Sequence, residues 1–298
     1  MTMQGPIRLL PMTPAFNRRT FLLGTAAAAA LAACGSSGPS PDRLALRFPD
    51  GFRAPSVAVS GFGDQRFPFV VVGDDGFPML TNTPDSIEID VLMDGELVTT
   101  ETVPAGGDGQ IVPYYALTFT PPAAGTYIAR TSFSEFDVEF LVVERTDTTL
   151  WQVGETMTGF QTPTFDDAAG VDPICTRAGE PCPFHEITLE EALTNGRPTA
   201  LLISTPAFCQ TDVCGPSLEH LISSAADRDD INVIHQEVYE DFARDTDEGL
   251  LPTVAPLLAE WDIAFEPSLF VMDSGATILG ARHFAFDDTE TNELLSLI

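Results

Sequence analysis

The chain has 298 residues, 44% of them hydrophobic, and its 14 basic residues, all Arg, face 44 acidic ones for a formal net charge of −30 at pH 7. A surplus of that size excludes nucleic acid as a partner and electrostatic docking on anionic lipid. It fits solubility in a salty medium, where screening shortens the reach of each charge.

In chain order, the first feature is an Arg pair in NRRTFL, Asn17–Leu22, followed by the apolar run FLLGTAAAAALAA and closing on LAAC, Leu31–Cys34. The run is about a dozen residues, short of the ~20 that span a bilayer, so residues 1–34 read as an export signal and not as an anchor helix. The two motifs resemble a twin-arginine signal peptide ending in a bacterial lipoprotein box. That resemblance implies that Cys34 takes the lipid and becomes the mature N-terminus, outside any disulfide arithmetic. It also implies a protein held by its lipid anchor on the extracytoplasmic face of the cell membrane. Residues 1–33 contain three Arg and no acid, so the mature chain carries 11 basic against 44 acidic residues, or −33. Residues 35–43, small, polar and Pro-containing, form a flexible linker. About 260 mature residues are expected to make two domains.

Residues 44–145 are strand-like throughout. FVVV (Phe69–Val72), SIEIDVLM (Ser86–Met93), YYALTFT (Tyr114–Thr120), TYIARTSF (Thr126–Phe133) and DVEFLVV (Asp137–Val143) are short apolar or alternating runs. Asp94-Gly95 joins SIEIDVLM to ELVTTETV as a hairpin turn. The expectation is an all-β sandwich. LTFTPPAAGTYIART resembles the F-strand approach of immunoglobulin-like domains, with Tyr127 in the place of their corner tyrosine. This region has neither Cys nor His and is assigned no chemistry, only the role of spacer or binding module.

The boundary falls near ERTDTTLWQVGE, and residues 154–298 change texture. TLEEALTNG reads as a short helix, PTALLIST as a buried strand, residues 210–226 as a helix and INVIHQEVY as a strand. VAPLLAEWDI then carries a helix, PSLFVMDSGATILGARHF a hairpin turning at Asp273-Ser274-Gly275, and TETNELLSLI a last helix. This alternation is an α/β layout. It resembles the thioredoxin superfamily on three features: Cys209 shortly after a central strand in LLISTPAFC, Pro216 inside the following helix, and Glu266-Pro267 where the family has a cis-proline facing its active cysteine. The fold expected is therefore an N-terminal immunoglobulin-like sandwich plus a C-terminal α/β thioredoxin-like fold.

Cys209 and Cys214, in TPAFCQTDVCGP, admit three readings from the residues alone: a redox pair, a metal site or a structural bridge. At a helix N-terminus Cys209 would be favoured as thiolate. Residues i and i+5 of an α-helix lie roughly 8–9 Å apart, beyond the ~7 Å limit for a disulfide. A bridge therefore requires the first helical turn to be absent or unwound. The thioredoxin resemblance implies that Cys209 attacks, Cys214 resolves and Pro267 shapes the substrate groove. The chain departs from that family where Phe208 stands for its Trp and Ile203 for its buried acid, and Glu266 would oppose a thiolate at Cys209. The sequence Cys214-Gly215-Pro216-Ser217 looks like a CGPC motif with its second Cys replaced by Ser. C-x4-C also resembles single-chain peroxiredoxins of the bacterioferritin-comigratory type, but Pro206 and Leu202 replace that family's Thr and Pro.

Cys175 and Cys182 flank the turn-rich TRAGEP and are expected to form a structural disulfide closing that loop. The weighed alternatives are exchange with the other pair and a soft-metal site, such as one for Cu(I), made with His185. His185, His220, His235 and His283 show no metal spacing, and His283 is unremarkable. No P-loop, G-x-S-x-G or G-x-G-x-x-G occurs, so neither cofactor nor metal is expected. The leading functional expectation is thiol–disulfide exchange on exported proteins with thiols or disulfides. A non-catalytic, disulfide-braced scaffold lipoprotein and a thiol peroxidase are the alternatives.

Overall fold

The computed structural model describes residues 45–47 and 58–298, apart from 74–75, 133, 135, 210–211 and 261–265. The export signal, Cys34 and the whole of the linker lie outside the described residues. Those described belong to one compact unit spanning Pro41–Ile298.

Eight strands come first: β1 Ala45–Arg47, β2 Ala58–Val59, β3 Gln65–Val72, β4 Ser86–Met93, β5 Glu96–Pro104, β6 Tyr115–Phe119, β7 Gly125–Arg130 and β8 Val138–Val143. They form two sheets, ordered β1-β3-β6 and β2-β8-β7-β4-β5. Alternation in β4 sends Ile87, Ile89 and Val91 inward and leaves Glu88 exposed, which is the period a half-buried strand requires. These residues meet Phe67 and Phe69 of β3, Leu117 and Phe119 of β6, Tyr127 of β7 and Phe140 of β8 in one core cluster, so the two sheets pack face to face. The β4–β5 turn has Asp94 at φ 52° and Gly95 at φ 83°, the pair of positive angles that a two-residue hairpin turn demands. Tyr127 donates its hydroxyl to Ala123 O at 2.7 Å.

The apolar run of β3 is continuous because both its faces are covered. Phe67, Phe69 and Val71 enter the sandwich core. Val70 and Val72 pack instead with Tyr114 and Ala285, from the far end of the chain. Beside them Arg66 donates to both carboxylate oxygens of Glu290 at 2.7 Å, to His283 O at 3.2 Å and to Ala285 O at 2.6 Å. Tyr114 also donates its hydroxyl to Glu290. The sandwich is thus docked onto the second half by apolar burial around a partly buried ion pair.

That second half has strands β9 Thr199–Ile203, β10 Asn232–Gln236, β11 Ser268–Met272 and β12 Ile278–His283, in the order β10-β9-β11-β12. β9 and β10 are parallel, and β11 runs antiparallel to both β9 and β12. Its helices are α1 Leu189–Ala192, α2 Cys214–Ser224, α3 Phe242–Asp247, α4 Pro256–Glu260 and α5 Asp288–Leu295. A parallel pair needs a crossover, and α2 lies within the one between β9 and β10. β9 is buried on both sides, with Leu201 and Ile203 in one cluster beside Leu189 and Leu258, and Ala200 and Leu202 in another beside Leu218, Leu221 and Leu294. Two-sided burial explains an apolar run without alternation. The α/β expectation for residues 154–298 holds, with two differences: α2 starts at Cys214 and not near residue 210, and α3 is an additional helix.

Candidate functional site

Sheet register brings the chemistry together. In β9 and β11 Ile203 pairs with Ser268, and in β9 and β10 it pairs with Gln236. The residues just beyond β9, Ser204 and Thr205, therefore lie between the residues after β10 and those before β11. Ligand and catalytic groups of open α/β sheets collect at such carboxyl ends of parallel strands.

On the β11 side, Glu266 and Pro267 are joined by a cis peptide bond, and Pro267 is buried. Thr205 N–H donates to the Glu266 carboxylate. The Glu266 carboxylate and the sulfurs of Cys209 and Cys214 all lie within 4.8 Å of one another. Cys209 and Cys214 form a disulfide with a Cα–Cα distance of 5.9 Å, inside the range that side chains can bridge. The condition read from the spacing is met because α2 begins only at Cys214, with Val213 as its N-cap and Asp212 just ahead of it at φ 56°. Cys209 consequently does not sit at a helix N-terminus. Cys214 does, as the first residue of α2, where backbone N–H groups and the helix dipole favour a thiolate. Pro216 falls in that same first turn, where a missing N–H leaves no bond unmade. Cys209 is 8% exposed and Cys214 is fully buried, so Cys209 is the less buried residue of the pair. Phe208 stacks on Phe242 at 4.3 Å and Tyr239 meets Phe242 at 5.2 Å, giving this edge an aromatic border.

Burial pushes the Glu266 carboxyl up to about 7, against the opposing effect of its bonds from Thr205. Sequence alone marks Glu266 only as a neighbour that would raise the Cys209 pKa. In the structure its own carboxyl, next to both sulfurs, is the group that burial shifts toward neutrality.

On the β10 side lies a second cluster. Cys175 and Cys182 are free thiols, which corrects the structural disulfide expected between them. Each sulfur is otherwise engaged: Cys182 N–H donates to Cys175 Sγ at 3.4 Å, and Cys182 Sγ lies 3.5 Å from His235 Nδ1. Cys175, Cys182, His185 and His235 are all buried, and one ligand atom from each lies within 4.8 Å of the others. His235 is 53 residues from Cys182, too far along the chain for any spacing rule to join it to the cysteines. A hydrogen bond with Cys182 holds Cys175 toward the thiolate, against its burial and with help from both histidines. The same bond, burial and the Cys175 charge push Cys182 up. Burial also raises Glu237, to about 8, while bonds from Thr176 oppose the rise. Thr176 links the two clusters, since its hydroxyl donates to Glu237 at 3.2 Å and accepts from Ala207 N–H at 3.1 Å. His283 is partly buried with Nδ1 2.9 Å from Ser268 Oγ, and desolvation of its ring, then Arg66 and Arg282, push it down to about 3.

Fold and site together are a mixed four-stranded sheet in which β9 leads, by way of the disulfide-bonded Cys209, to a helix that begins at the second sulfur. No protein-family model and no curated protein matches the chain. Among solved structures it is similar to a thiol:disulfide interchange protein of the thioredoxin family from Chlorobium tepidum TLS, at 13% identity over 50% of this chain and 98% of that one with a TM-score of 0.29. It is also similar to StoA from Bacillus subtilis, at 16% identity over 46% of this chain and 96% of that one, TM-score 0.27. A metagenome-derived glycoside hydrolase family 9 endoglucanase matches at 15% identity and TM-score 0.24, over 34% of this chain and only 18% of the hydrolase. At such TM-scores these likenesses carry no argument about this chain, whereas its strand order and the placement of its sulfurs do.

Proposed function

We propose that this protein is a thiol–disulfide oxidoreductase working through Cys209 and Cys214. The observation that carries the reading is a disulfide at the handover from β9 to α2, with the less buried Cys209 ahead of the helix, Cys214 at the helix N-terminus and a carboxyl of pKa about 7 within 4.8 Å. A substrate thiolate attacks Cys209 Sγ, the Cys209–Cys214 bond breaks, and its electron pair leaves on Cys214. A mixed disulfide remains on Cys209. Exchange is faster when the leaving thiol has a low pKa, and the N-terminus of α2 provides that for Cys214. Protonated Glu266 can then neutralise the emerging thiolate. A second substrate thiolate attacks its own partner sulfur in the mixed disulfide and expels Cys209, so the substrate leaves oxidised and the protein pair is left as a dithiol. A disulfide-bearing partner returns it to the oxidised form. Pro267 shapes the groove along which the substrate backbone lies.

The same reading gives the protein an address outside the cytoplasm, anchored to the membrane by a lipid on Cys34, with exported thiol or disulfide proteins as partners. The motifs of residues 1–34 support this address, and no helix among the described residues is long and apolar enough to cross a membrane. The sandwich is read as immunoglobulin-like, supported by the Tyr127–Ala123 bond, which has the form of that family's tyrosine corner. It serves as a spacer or binding module.

The test is capture. Cys214→Ser should accumulate a mixed disulfide between Cys209 and an unfolded client that bears a disulfide, the client's other sulfur leaving as a thiol, and Cys209→Ser should form none. Equal exchange rates in wild type and Cys209→Ser would sink the proposal. A second reading, a non-catalytic scaffold, draws on the 8% exposure of Cys209. Under it the disulfide would resist mild reductant until the protein unfolds, whereas a catalytic pair opens in the folded state.

A further inference from the structure

We propose that Cys175, Cys182, His185 and His235 form a closed, four-coordinate site for a borderline divalent metal ion of the zinc class. The four residues come from two separated parts of the chain, residues 175–185 and β10, and all are buried. Their ligand atoms lie within 4.8 Å of one another. Bonds of about 2.3 Å to sulfur and 2.0–2.1 Å to nitrogen ask tetrahedral ligands to stand roughly 3.3–3.8 Å apart, so modest contraction completes the shell.

Hydrogen bonding around the histidines is what points to a metal and not to a chance meeting of polar groups. His185 Nδ1 is 3.0 Å from Pro163 O. A carbonyl can only accept, so that nitrogen carries the proton and Nε2 offers a lone pair. His185 Nε2 is buried and has no hydrogen-bond partner, and an orphaned buried acceptor is costly. In His235 the roles are reversed. Nε2 lies 3.1 Å from Ser204 O, which fixes the proton there and leaves Nδ1 as the lone pair, 3.5 Å from Cys182 Sγ. Both rings are thus held by backbone carbonyls in the tautomer that frees the nitrogen on the sulfur side, as outer-shell acceptors hold metal-bound histidines. The sulfurs are prepared as well, since Cys182 N–H donates to Cys175 Sγ. Two thiolates and two imidazoles in a tetrahedral set select zinc over magnesium or calcium. Four protein ligands with no open position make the site structural, not catalytic. It pins the Cys175–His185 loop, and with it Thr176 beneath Ala207, independently of the redox chemistry.

The experiment uses the full chain, purified without chelator under reducing conditions. Elemental analysis should give close to one zinc per chain. Replacement by Co(II) should give the visible bands and thiolate charge transfer of an S2N2 tetrahedral site. Cys209→Ser/Cys214→Ser should keep the same stoichiometry and spectrum, which separates failure here from failure of the proposed function. His185→Ala should weaken binding by more than the roughly 10–100-fold that loss of an outer-shell partner costs. The cobalt spectrum of the wild type decides the matter even if that variant does not fold. A Cys175–Cys182 disulfide in the native protein, metal absent from reduced wild type even after zinc is added, or metal retained undiminished by His185→Ala would each overturn the assignment.

Discussion

Glu266→Gln separates an acid that matters from one that merely happens to be near sulfur. Burial raises the Glu266 carboxyl from 4.5 to about 7. A rise of that size, at ~1.36 kcal/mol per pH unit, corresponds to about 3 kcal/mol between the two protonation states. Glu266 is only partly exposed, so solvent screening trims this ceiling little. The native pKa lies above the unfolded one, so between the two values the folded chain holds a proton that the unfolded chain has released. Stability from this group is therefore fully present below 4.5 and is lost as pH rises through about 7. The amide that Glu266→Gln introduces keeps an oxygen to accept from Thr205 N–H and cannot ionise, so the variant lacks this slope. The measurement is denaturant unfolding of the oxidised wild type and Glu266→Gln across that window. Taking the difference between the two cancels the rest of the acidic surface. Wild type should lose up to about 3 kcal/mol relative to the variant from the acid to the alkaline end. A difference that stays flat would refute a buried, proton-holding Glu266. Reduction of the disulfide should follow the same protonation, with its pH dependence near neutrality flattened in the variant.

Cys209→Ser should also cost stability, about 2 kcal/mol for a loop as short as the one this disulfide closes, read from the shift in denaturant midpoint of oxidised protein. A loss several times larger would mean that the bridge braces the whole domain. Arg66→Ala removes one of two arginines from Glu290, which stays paired with Arg282 at 3.1 Å. The expected loss is about 2–3 kcal/mol, under the ~3–5 kcal/mol of a fully orphaned buried charge, and an unchanged melting temperature would show the docking to be apolar alone. A Cβ at Gly159 would stand 2.7 Å from Glu190 Cα, and backbone cannot swing aside as a side chain can. Gly159→Ala should cost about 1–3 kcal/mol in thermal or denaturant unfolding, and a neutral result would mean that α1 shifts freely.

Local pattern is enough for the sheet-forming segments. SIEIDVLM alternates because one of its faces is solvated, and Asp94-Gly95 supplies the two positive φ angles its turn needs. The start of α2 is not legible, because the apolar period of Leu218 and Leu221 fixes a face and not a beginning, and Asp212 stands just ahead of its N-cap with a left-handed backbone. The free state of Cys175 and Cys182 is equally hidden. Spacing in the loop suits a bridge, and what gives each sulfur another partner is His235, which arrives through the parallel pairing of β10 with β9. Glu266 is visible as a carboxylate beside a proline, but its raised pKa comes from burial, which depends on every element packed around it.

The two clusters are neighbours for a topological reason. β9 lies between β10 and β11, so the backbone leaving its carboxyl end has a neighbour on each side. Ser204 meets His235, while Thr205 gives its N–H to Glu266 and its hydroxyl accepts from Val238 N–H at 3.0 Å. Consecutive residues therefore anchor the histidine side and the carboxylate side, and neither can shift without dragging the other. Cys209 lies ahead of α2, which begins only at Cys214, and Thr176 supports the residues before Cys209 from the cysteine–histidine side through Ala207 N–H. Under the proposed exchange reaction, a disulfide that opens needs freedom at Cys209, whereas a thiolate leaving at Cys214 needs a fixed set of N–H groups. Placing one sulfur ahead of the helix and the other on its first residue meets both requirements, which the two-residue spacing of an all-helical motif cannot do by the same means.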